Sequence, residues 1–243
     1  MSRGNRPVLR RKKTKGRSFY KMLVRWLCVG GLTFFCLSLL MVLPFRWIDP
    51  PTTAFMLQDD SDRKPVLYEW SAWGKIGTAP PIAVVAAEDQ KFASHFGFDL
   101  KSIRESVVGF NDGAALRGAS TITQQVAKNL YLWPSRSFLR KGIEAYFTVL
   151  IEVTWPKKRI LEIYLNIAEF GPGIYGVGAA SELYFGKVPI ELSDAEAAML
   201  AAVLPNPKQF SVGQPTPYLL ERRAWIIGQM QRLRREQWSI SME

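Results

Sequence analysis

A run of twenty residues without charge, from Trp26 to Phe45, constrains this chain more than any other feature. At the rise of an α-helix, twenty residues extend about 30 Å, which is the thickness of the hydrocarbon core of a bilayer. Ten basic residues precede the run, whereas Arg46 and then acidic residues follow it. This asymmetry predicts a membrane-spanning helix with its N-terminus in the cytoplasm.

A cleaved signal peptide is the main alternative for this run. The run is too long for the apolar region of a signal peptide, and no small-x-small cleavage site follows it. We therefore expect an uncleaved anchor. Both cysteines, Cys28 and Cys36, lie inside it, so the exported part has no disulfide framework and must be stabilised by its hydrophobic core.

The net charge of +11 is concentrated at the N-terminus. Residues 1–46 hold 11 of the 32 basic residues and no acidic residue, and in the remainder basic and acidic residues are equal in number. A nucleic-acid-binding domain would spread basic residues over its folded surface. The distribution therefore argues against nucleic acid as a partner.

The predicted fold class is mainly α. Apolar residues recur at spacings of three and four from Ile82 onward, with Gly and Pro between the segments. One short strand is predicted at 65–70, and the predicted helices cover residues 80–93, 99–109, 120–131, 138–154, 157–168, 175–184, 193–203 and 217–237. The predicted organisation is a basic cytoplasmic tail at 1–25, a transmembrane anchor at 26–45, a Pro-rich acidic linker at 46–64 and a folded domain at 65–243.

Hydroxyl, amide and ammonium groups crowd into the segment from Gly118 to Asn129, GASTITQQVAKN. With Ser120 as the N-cap of a helix, Gln124 and Lys128 lie four residues apart and project from the same face. The amides of the first turn, Ser120, Gln124 and Lys128 would together suit a phosphorylated ligand. The alternative is a capped surface helix with an ordinary lysine.

A pair of carboxylates, Glu88 and Asp89, follows a helix predicted to be almost wholly buried. A carboxylate at the end of such a helix is partly desolvated, which raises its pKa toward the range of a general base. A solvated acidic helix end is the alternative. His95 is the only histidine, and we expect it to have a structural hydrogen-bonding role. No second histidine is then left for a Ser-His-Asp triad, and no cluster of His and Cys is present for a metal.

Two further segments carry grouped polar residues. Arg140, Lys141 and Glu144 have the spacing of a helix-face ion pair, which would also place two cations where they can neutralise a pyrophosphate. Glu162 and Asn166 share one side of the helix predicted at 157–168. The glycine-rich segment that follows, from Phe170 to Gly176, predicts a turn, and only Asn166 in this region is expected to act beyond architecture.

Together these segments resemble the family-51 glycosyltransferases, the peptidoglycan glycosyltransferases. Five motifs of that family occur in order over about residues 65–220. Too few residues follow them for a transpeptidase domain, so the resemblance is to the monofunctional, membrane-anchored members. The motifs read EDQKFASHFG at 88–97, GASTITQQVAKN at 118–129, RKGIE at 140–144, KKRILEIYLNIAEFG at 157–171 and DAEAAMLAAVLPNP at 194–207.

The resemblance implies a lysozyme-like, two-lobed helical domain on the outer face of the bacterial inner membrane. It implies polymerisation of lipid II into β-1,4 glycan with inversion and release of undecaprenyl pyrophosphate. The partners so implied are lipid II, the growing lipid-linked glycan chain and the bilayer, together with cell-division or elongation proteins. No cofactor is required by the sequence, and Mg²⁺ or Mn²⁺ would be an optional aid to the pyrophosphate.

The resemblance also implies site residues. Glu88 is expected to be the general base, and Glu144 is the second catalytic carboxylate, either in proton transfer or in orienting Arg140 or a metal. Lys128 and Arg140 are expected to neutralise the pyrophosphate. The residues expected to bind substrate are Asp89, Phe92, Ser120, Thr121, Gln124, Gln125, Lys128, Arg140, Lys141 and Asn166.

Two other functions are compatible with the sequence. A lytic transglycosylase also uses a catalytic glutamate on a helical fold, but it needs neither a bilayer anchor nor the Lys128 and Arg140 pair. An inactive membrane scaffold of the cell-wall synthesis machinery would not need the set of polar residues described above. The apolar segment from Leu130 to Leu139 is open too, as a mobile flap, a membrane-contacting surface or a packed loop.

Overall fold

The structure, a computed structural model, describes residues 15–100, 104, 120–135 and 137–236. The chain divides into two compact units, Met1–Met41 and Val42–Glu243. Helix α1, Lys15–Val42, makes up the described part of the first unit. Within the described residues, Phe19–Arg46 is the one helical stretch long and apolar enough to cross a membrane by length and composition, with a mean hydropathy of 2.2. It contains the predicted anchor.

The second unit is mainly helical, as predicted. A 3-10 turn, Leu43–Arg46, leads into it, and a second one, Pro189–Glu191, precedes α9. The described helices are α2 Ala54–Leu57, α3 Trp73–Ile76, α4 Ala79–Glu88, α5 Ile122–Tyr131, α6 Phe138–Thr154, α7 Lys157–Ile167, α8 Val177–Phe185, α9 Asp194–Val203 and α10 Pro217–Arg235.

Two groups of helices form the core of this unit. In one, α4 packs against α9 and α10, and in the other, α5 packs against α6 and α7. Contacts between α4 and α7 join the two groups. Residues Ala79–Ala86 of α4 are all buried, which confirms the prediction for this helix. Prolines are accommodated in its first turn, where the backbone amides have no partner within the helix.

A small sheet lies beside the helices, with strand order β1-β3-β2. Strand β1, Leu67–Tyr68, is the predicted strand and pairs in parallel with β3, Ile174–Tyr175. Strand β2, Glu169–Gly171, pairs antiparallel with β3 across a bulge. The glycine-rich segment predicted as a turn contains the turn between β2 and β3, at residues 172–173, together with most of both strands.

Gly176 shows why glycine is needed after β3. Its φ is +86°, and a Cβ atom there would lie 2.6 Å from the carbonyl oxygen of Asn166. Any side chain would be both strained and in collision with the backbone of α7. Glycine therefore lets β3 lie close to the end of that helix.

The predicted linker at 46–64 is not a separate segment, because it packs on the folded unit. Tyr68 Oη donates to the carbonyl of Pro50 at 2.6 Å, and Tyr175 Oη donates to Asp59 at 2.7 Å. Met56 of α2 is buried. Proline and acidic residues suggested a linker by composition, but the apolar residues of α2 provide enough contact to fix the segment.

The other predicted helices agree with the structure to within two residues at most ends. The helix predicted at 80–93 ends earlier, at Glu88. The helix predicted at 99–109 lies almost entirely outside the described residues. In the apolar segment from Leu130, the leucines Leu130 and Leu132 are buried, whereas Phe138 and Leu139 are exposed, so the segment is packed only in its first part.

Candidate active site

Glu88 lies at the C-terminal end of α4, where the helix dipole is unfavourable to a negative charge. Its side chain is 14% exposed. One carboxylate oxygen accepts a hydrogen bond of 2.9 Å from Gln125 Nε2, and the other lies 3.4 Å from a guanidinium nitrogen of Arg222. Burial raises the pKa of Glu88, and Gln125, Arg222 and Lys128 only partly offset this effect. Such a carboxyl group is suited to take up a proton.

Gln125 is held in one orientation by a second hydrogen bond. Tyr164 Oη donates to Gln125 Oε1 at 3.3 Å, which directs the amide nitrogen toward Glu88. Burial raises the pKa of Tyr164 well above its usual value, so the phenol remains a donor. The chain of hydrogen bonds from Tyr164 through Gln125 therefore fixes one oxygen of Glu88.

The side chains of Asp89 and Phe92 contact other residues of the folded unit. Both oxygens of Asp89 lie within 3.0 Å of His95 Nε2, and Oδ2 also accepts from the backbone amide of Ile122 at 3.1 Å. Asp89 thus ties the end of α4 to the start of α5, and the structural role predicted for His95 is confirmed. Phe92 is fully buried, with the ammonium of Lys157 4.5 Å above its ring. Both side chains are engaged within the fold, and their contact with substrate stays a prediction.

The N-cap of α5 is Thr121, so the prediction of Ser120 as the cap is wrong. Thr121 and Gln124 form a capping box, in which each side chain bonds the backbone amide of the other residue. Thr121 also donates to the carbonyl of Gly97 at 2.7 Å. The pattern of a hydroxyl followed three residues later by Gln fits Thr121, whereas the residue three positions after Ser120 is Thr123.

This capping uses the groups predicted to hold a phosphorylated ligand at the helix start. Gln124 is buried and bonded within the box, and the amide of Ile122 is bonded to Asp89. The first turn therefore offers few free donors. Lys128, one turn further along the helix, takes no part in this capping and remains a predicted contact to a phosphorylated ligand.

Lys128 lies on α5, three residues after Gln125. Its ammonium is 5.2 Å from the ring centre of Phe55, and it interacts electrostatically with both Glu88 and Glu144. Burial lowers the pKa of Lys128, and the neighbouring Arg140 lowers it further, whereas the two glutamates raise it. A cation that is partly desolvated in this way gains by binding an anion.

Glu144 is the centre of a cluster of charges on α6. It is 2% exposed and pairs with Arg140 at 2.7 Å and with Lys141. Lys141 Nζ also lies 3.4 Å from Ser120 Oγ, which connects this cluster to the segment before α5. The ion pair predicted from the spacing is confirmed, and both of its oxygens are engaged by cations.

Asn166 lies apart from these groups and is fully buried. Its amide accepts from the backbone of Ser71 at 2.7 Å and donates to the carbonyls of Ser71 and Glu162, each at 2.9 Å. The two bonds with Ser71 fix the segment before α3 to α7. The hydrogen-bonding capacity of Asn166 is thus used within the fold, and its contact with substrate stays a prediction.

Arg222 is the site residue that the sequence reasoning missed. It lies on α10, 134 residues after Glu88, and its side chain is 20% exposed. The only sequence signal is the Arg222-Arg223 pair in an arginine-rich helix. Nothing in the local spacing relates that pair to Glu88, because the contact arises from the packing of α10 on α4.

A cavity of about 250 Å³ opens beside Gln125 and Lys128. Its walls come from α2, α5, α7, the small sheet and the segment after α9. The residues around it include three aromatic rings and five side chains with amide or charged groups besides Lys128. They are Phe55, Tyr164, Tyr175, Gln125, Asn129, Glu169, Asn206, Lys208 and the apolar Ala168, Leu204, Pro205 and Pro207.

The carboxylates of the site are not arranged as a set of metal ligands. Among the described residues, no group of three or more His, Cys, Asp or Glu side chains is placed to hold a metal ion. Glu144, which was expected to orient a metal or Arg140, has both oxygens engaged by Arg140 and Lys141. The described site does not fit Mg²⁺ or Mn²⁺ bound by carboxylates alone.

The helical fold and the charged groups around Glu88 and Glu144 can be compared with known protein families. A family model described as transglycosylase matches residues 62–231, which is most of the chain. The chain therefore belongs to the transglycosylase family.

Curated relatives make the comparison more specific. A protein of Shewanella oneidensis called biosynthetic peptidoglycan transglycosylase is 48% identical over 217 residues, which are 88% of this chain and 93% of that protein. Proteins with the same name from Shewanella frigidimarina and Pseudomonas aeruginosa are 54% and 43% identical. The first of these matches covers 77% of this chain and 82% of the relative, and the second covers 93% and 99%.

Proposed function

We propose that this protein is a peptidoglycan glycosyltransferase that polymerises lipid II into β-1,4 glycan strands and releases undecaprenyl pyrophosphate. The observation that carries the proposal is that Lys128 interacts electrostatically both with the buried Glu88 and with Glu144, whose cluster holds two further cations. A proton acceptor and a site for an anionic leaving group thus lie side by side. This is what transfer of a sugar from a pyrophosphate requires.

Glu88 is the general base in this mechanism. The 4-hydroxyl oxygen of the acceptor lipid II attacks the anomeric carbon of the growing chain, and its proton passes to the carboxylate of Glu88. The bond between that carbon and the pyrophosphate oxygen breaks, and the pyrophosphate leaves with the electron pair. Direct displacement inverts the configuration. The raised pKa of Glu88 favours uptake of the proton.

Lys128, Arg140 and Lys141 neutralise the charge that develops on the pyrophosphate. The pyrophosphate is a good leaving group and needs neutralisation more than protonation. Arg140 suits it because a planar guanidinium binds phosphate oxygens in pairs. These side chains supply the charge directly, and the mechanism includes no metal step.

Glu144 is a positioning residue in this scheme. Its two oxygens hold Arg140 and Lys141 in place, and Lys141 in turn reaches Ser120. Without Glu144 the two cations would repel each other and move toward solvent. Ser120 and Gln125 remain candidates for substrate contact, since both lie next to charged groups of the site.

Helix α1 carries the domain to its substrate. The proposed topology has the N-terminus in the cytoplasm and the catalytic unit in the periplasm, on the outer face of the inner membrane. Support comes from the ten basic residues that precede the apolar run. A lipid-linked substrate in the same bilayer would then be presented directly to the site.

The two alternatives fit the observations less well. A lytic transglycosylase cleaves existing glycan and has no pyrophosphate to neutralise, so it has no use for the cations around Glu144. Glu88 and Lys128 are buried charged groups, which reduce the stability of the fold. A scaffold without activity gives no reason for them.

The test is incubation of the full-length, detergent-solubilised protein with labelled lipid II and separation of the products by size. We expect a high polymer that lysozyme digests. Folded protein that makes no polymer but cuts preformed glycan would establish the lytic function. Inactivity in both assays would leave the scaffold.

A further inference from the structure

The cavity beside Lys128 contains a carboxyl group for which the proposed mechanism has no use. Glu169 is the first residue of β2 and pairs in register with Tyr175 of β3. Its Oε1 atom is buried and has no hydrogen-bond partner in the part of the chain that the structure describes. A buried polar atom without a partner is costly, so the cavity is built with an unsatisfied group in its wall.

The charged groups near Glu169 form no hydrogen bond with its Oε1 atom, because they are engaged with one another or with Tyr175. Lys208 forms a salt bridge with Asp60, and Asp59 accepts a hydrogen bond from Tyr175 Oη at 2.7 Å. These two contacts fix the segment after α2 to the rim of the cavity. Burial raises the pKa of Glu169 to about 7. Lys208 and a backbone hydrogen bond from Gly173 oppose this rise, whereas Asp59 and Asp60 add to it. The carboxyl group therefore exists both as donor and as acceptor near neutral pH.

The walls of the cavity indicate what would bind Glu169. Phe55, Tyr164 and Tyr175 provide aromatic surface, whereas Asn206 and Asn129 provide amides. A lipid chain would leave these amides and Glu169 unsatisfied. A phosphate would be repelled when Glu169 is ionised. A sugar ring has an apolar face for the aromatic rings and hydroxyl and acetamido groups for the polar side chains, and its size matches a cavity of about 250 Å³.

The cavity is connected to the reacting groups on its other side. Gln125 lines it and donates to Glu88 at 2.9 Å, and Lys128 lines it and interacts electrostatically with Glu88. A sugar held here would lie directly beside the proton acceptor. Resting on the proposed function, we infer that Glu169 is a substrate-binding residue that hydrogen-bonds a hydroxyl or acetamido group of an N-acetylhexosamine of the lipid-linked substrate.

The experiment compares Glu169→Ala and Glu169→Gln with the wild-type full-length protein on lipid II. Loss of one hydrogen bond to the substrate lowers its affinity about 3- to 30-fold. We therefore expect Glu169→Ala to raise KM for lipid II by about tenfold, with kcat changed less than threefold. Glu169→Gln keeps a donor and an acceptor at the same place and restores KM to within about threefold of wild type.

Glu191→Ala, at an exposed glutamate on the 3-10 turn before α9, is the matched control and leaves both constants unchanged. If Glu169→Ala lowers the melting temperature, Glu169→Leu takes its place, since leucine keeps the volume and removes the hydrogen bonds. An unchanged KM in the folded variant overturns the inference while the proposed function stands. Wild-type protein that makes no polymer overturns the proposed function itself.

A binding measurement separates the inference from turnover. Immobilised full-length Glu88→Gln protein, which cannot turn over, is titrated with lipid II, and the same is done with the Glu88→Gln/Glu169→Ala double variant. We expect the dissociation constant to be about tenfold higher for the double variant. Equal constants would contradict a contact between Glu169 and the substrate.

Discussion

Glu88 and Glu144 are both glutamates with little exposure, yet their surroundings differ. Glu144 has a cation on each oxygen, from Arg140 and Lys141 of its own helix. Glu88 has one amide hydrogen bond and a guanidinium nitrogen at 3.4 Å, and burial raises its pKa. A carboxylate that is fully paired holds its partners in place, whereas one that is poorly paired is ready to take a proton. The comparison therefore assigns different tasks to two residues of one type.

Replacing the poorly paired carboxylate should have the largest effect. Glu88→Gln keeps the hydrogen bond with Gln125 but removes the proton acceptor. Because a general base contributes about 10²–10⁴-fold, we expect kcat for lipid II polymerisation to fall by about 10³-fold. The measurement is the rate of glycan formation by the full-length protein. Polymer yield equal to wild type would remove Glu88 from the role of base.

The same variant should be more stable than wild type. The folded-state pKa of Glu88 is raised, so its ionised form destabilises the fold, fully so above the folded pKa. This cost disappears as pH falls through the folded pKa toward the lower unfolded value. We therefore expect Glu88→Gln to raise the melting temperature at pH 8 and to have little effect at pH 4. A lower melting temperature at pH 8 would show that the charge of Glu88 supports the fold.

Replacing the paired carboxylate should have the opposite effect on stability. Glu144→Gln leaves Arg140 and Lys141 without their counter-charge, and breaking a buried pair costs about 3 kcal/mol of unfolding free energy. We expect a lower urea midpoint together with a fall in kcat of about 10²-fold, because the cations are no longer held. The acid limb of the pH–rate profile should stay where it is in wild type. Loss of that limb would instead make Glu144 a proton-transfer group.

Removal of Arg222 should make the surroundings of Glu88 differ still more from those of Glu144. Its charge lowers the pKa of Glu88, so its removal should raise that pKa further. A base must be ionised to work, and a higher pKa leaves less of it ionised in mild acid. We expect Arg222→Gln to move the acid limb of kcat/KM to higher pH, with a loss of about threefold or more at pH 6 and less at pH 8. Arg222→Lys, which keeps the charge, is the control.

An acid limb of Arg222→Gln at the wild-type position would show that the guanidinium does not act on Glu88. A uniform loss at all pH values would instead assign Arg222 to substrate binding. The two results differ only when the full profile is measured. Single-pH activities therefore do not test this residue.

The contrast between the two glutamates also shows what the sequence could predict. The partners of Glu144 are three and four residues away on one helix, and that spacing is visible in the sequence. The partners of Glu88 lie 37 and 134 residues away, so they follow from packing of helices that no local pattern specifies. The motif resemblance supplied Glu88 and Gln125, but Arg222 appeared only in the structure.

Other differences between the predictions from the sequence and the structure have similar causes. Helices were predicted well because an apolar repeat of three and four residues is a strong signal, but strands β2 and β3 have only three and two residues and no repeat. The segment 46–64 looked like a linker by composition, although a few apolar side chains fix it. Asn166 was expected to act beyond architecture, and the structure shows that its amide also satisfies the backbone of Ser71, a partner 95 residues away that no local pattern indicates.

The smallest effect concerns the start of α5, which precedes both Gln125 and Lys128. Thr121 caps the helix and also bonds Gly97, so Thr121→Ala should lower the unfolding free energy by about 1–2 kcal/mol. Ser120→Ala removes no cap and should change it by less than about 0.5 kcal/mol. Urea denaturation followed by tryptophan fluorescence compares the two variants. Equal losses would move the cap back to Ser120, and with it the free helix amides that were expected to bind a phosphorylated ligand.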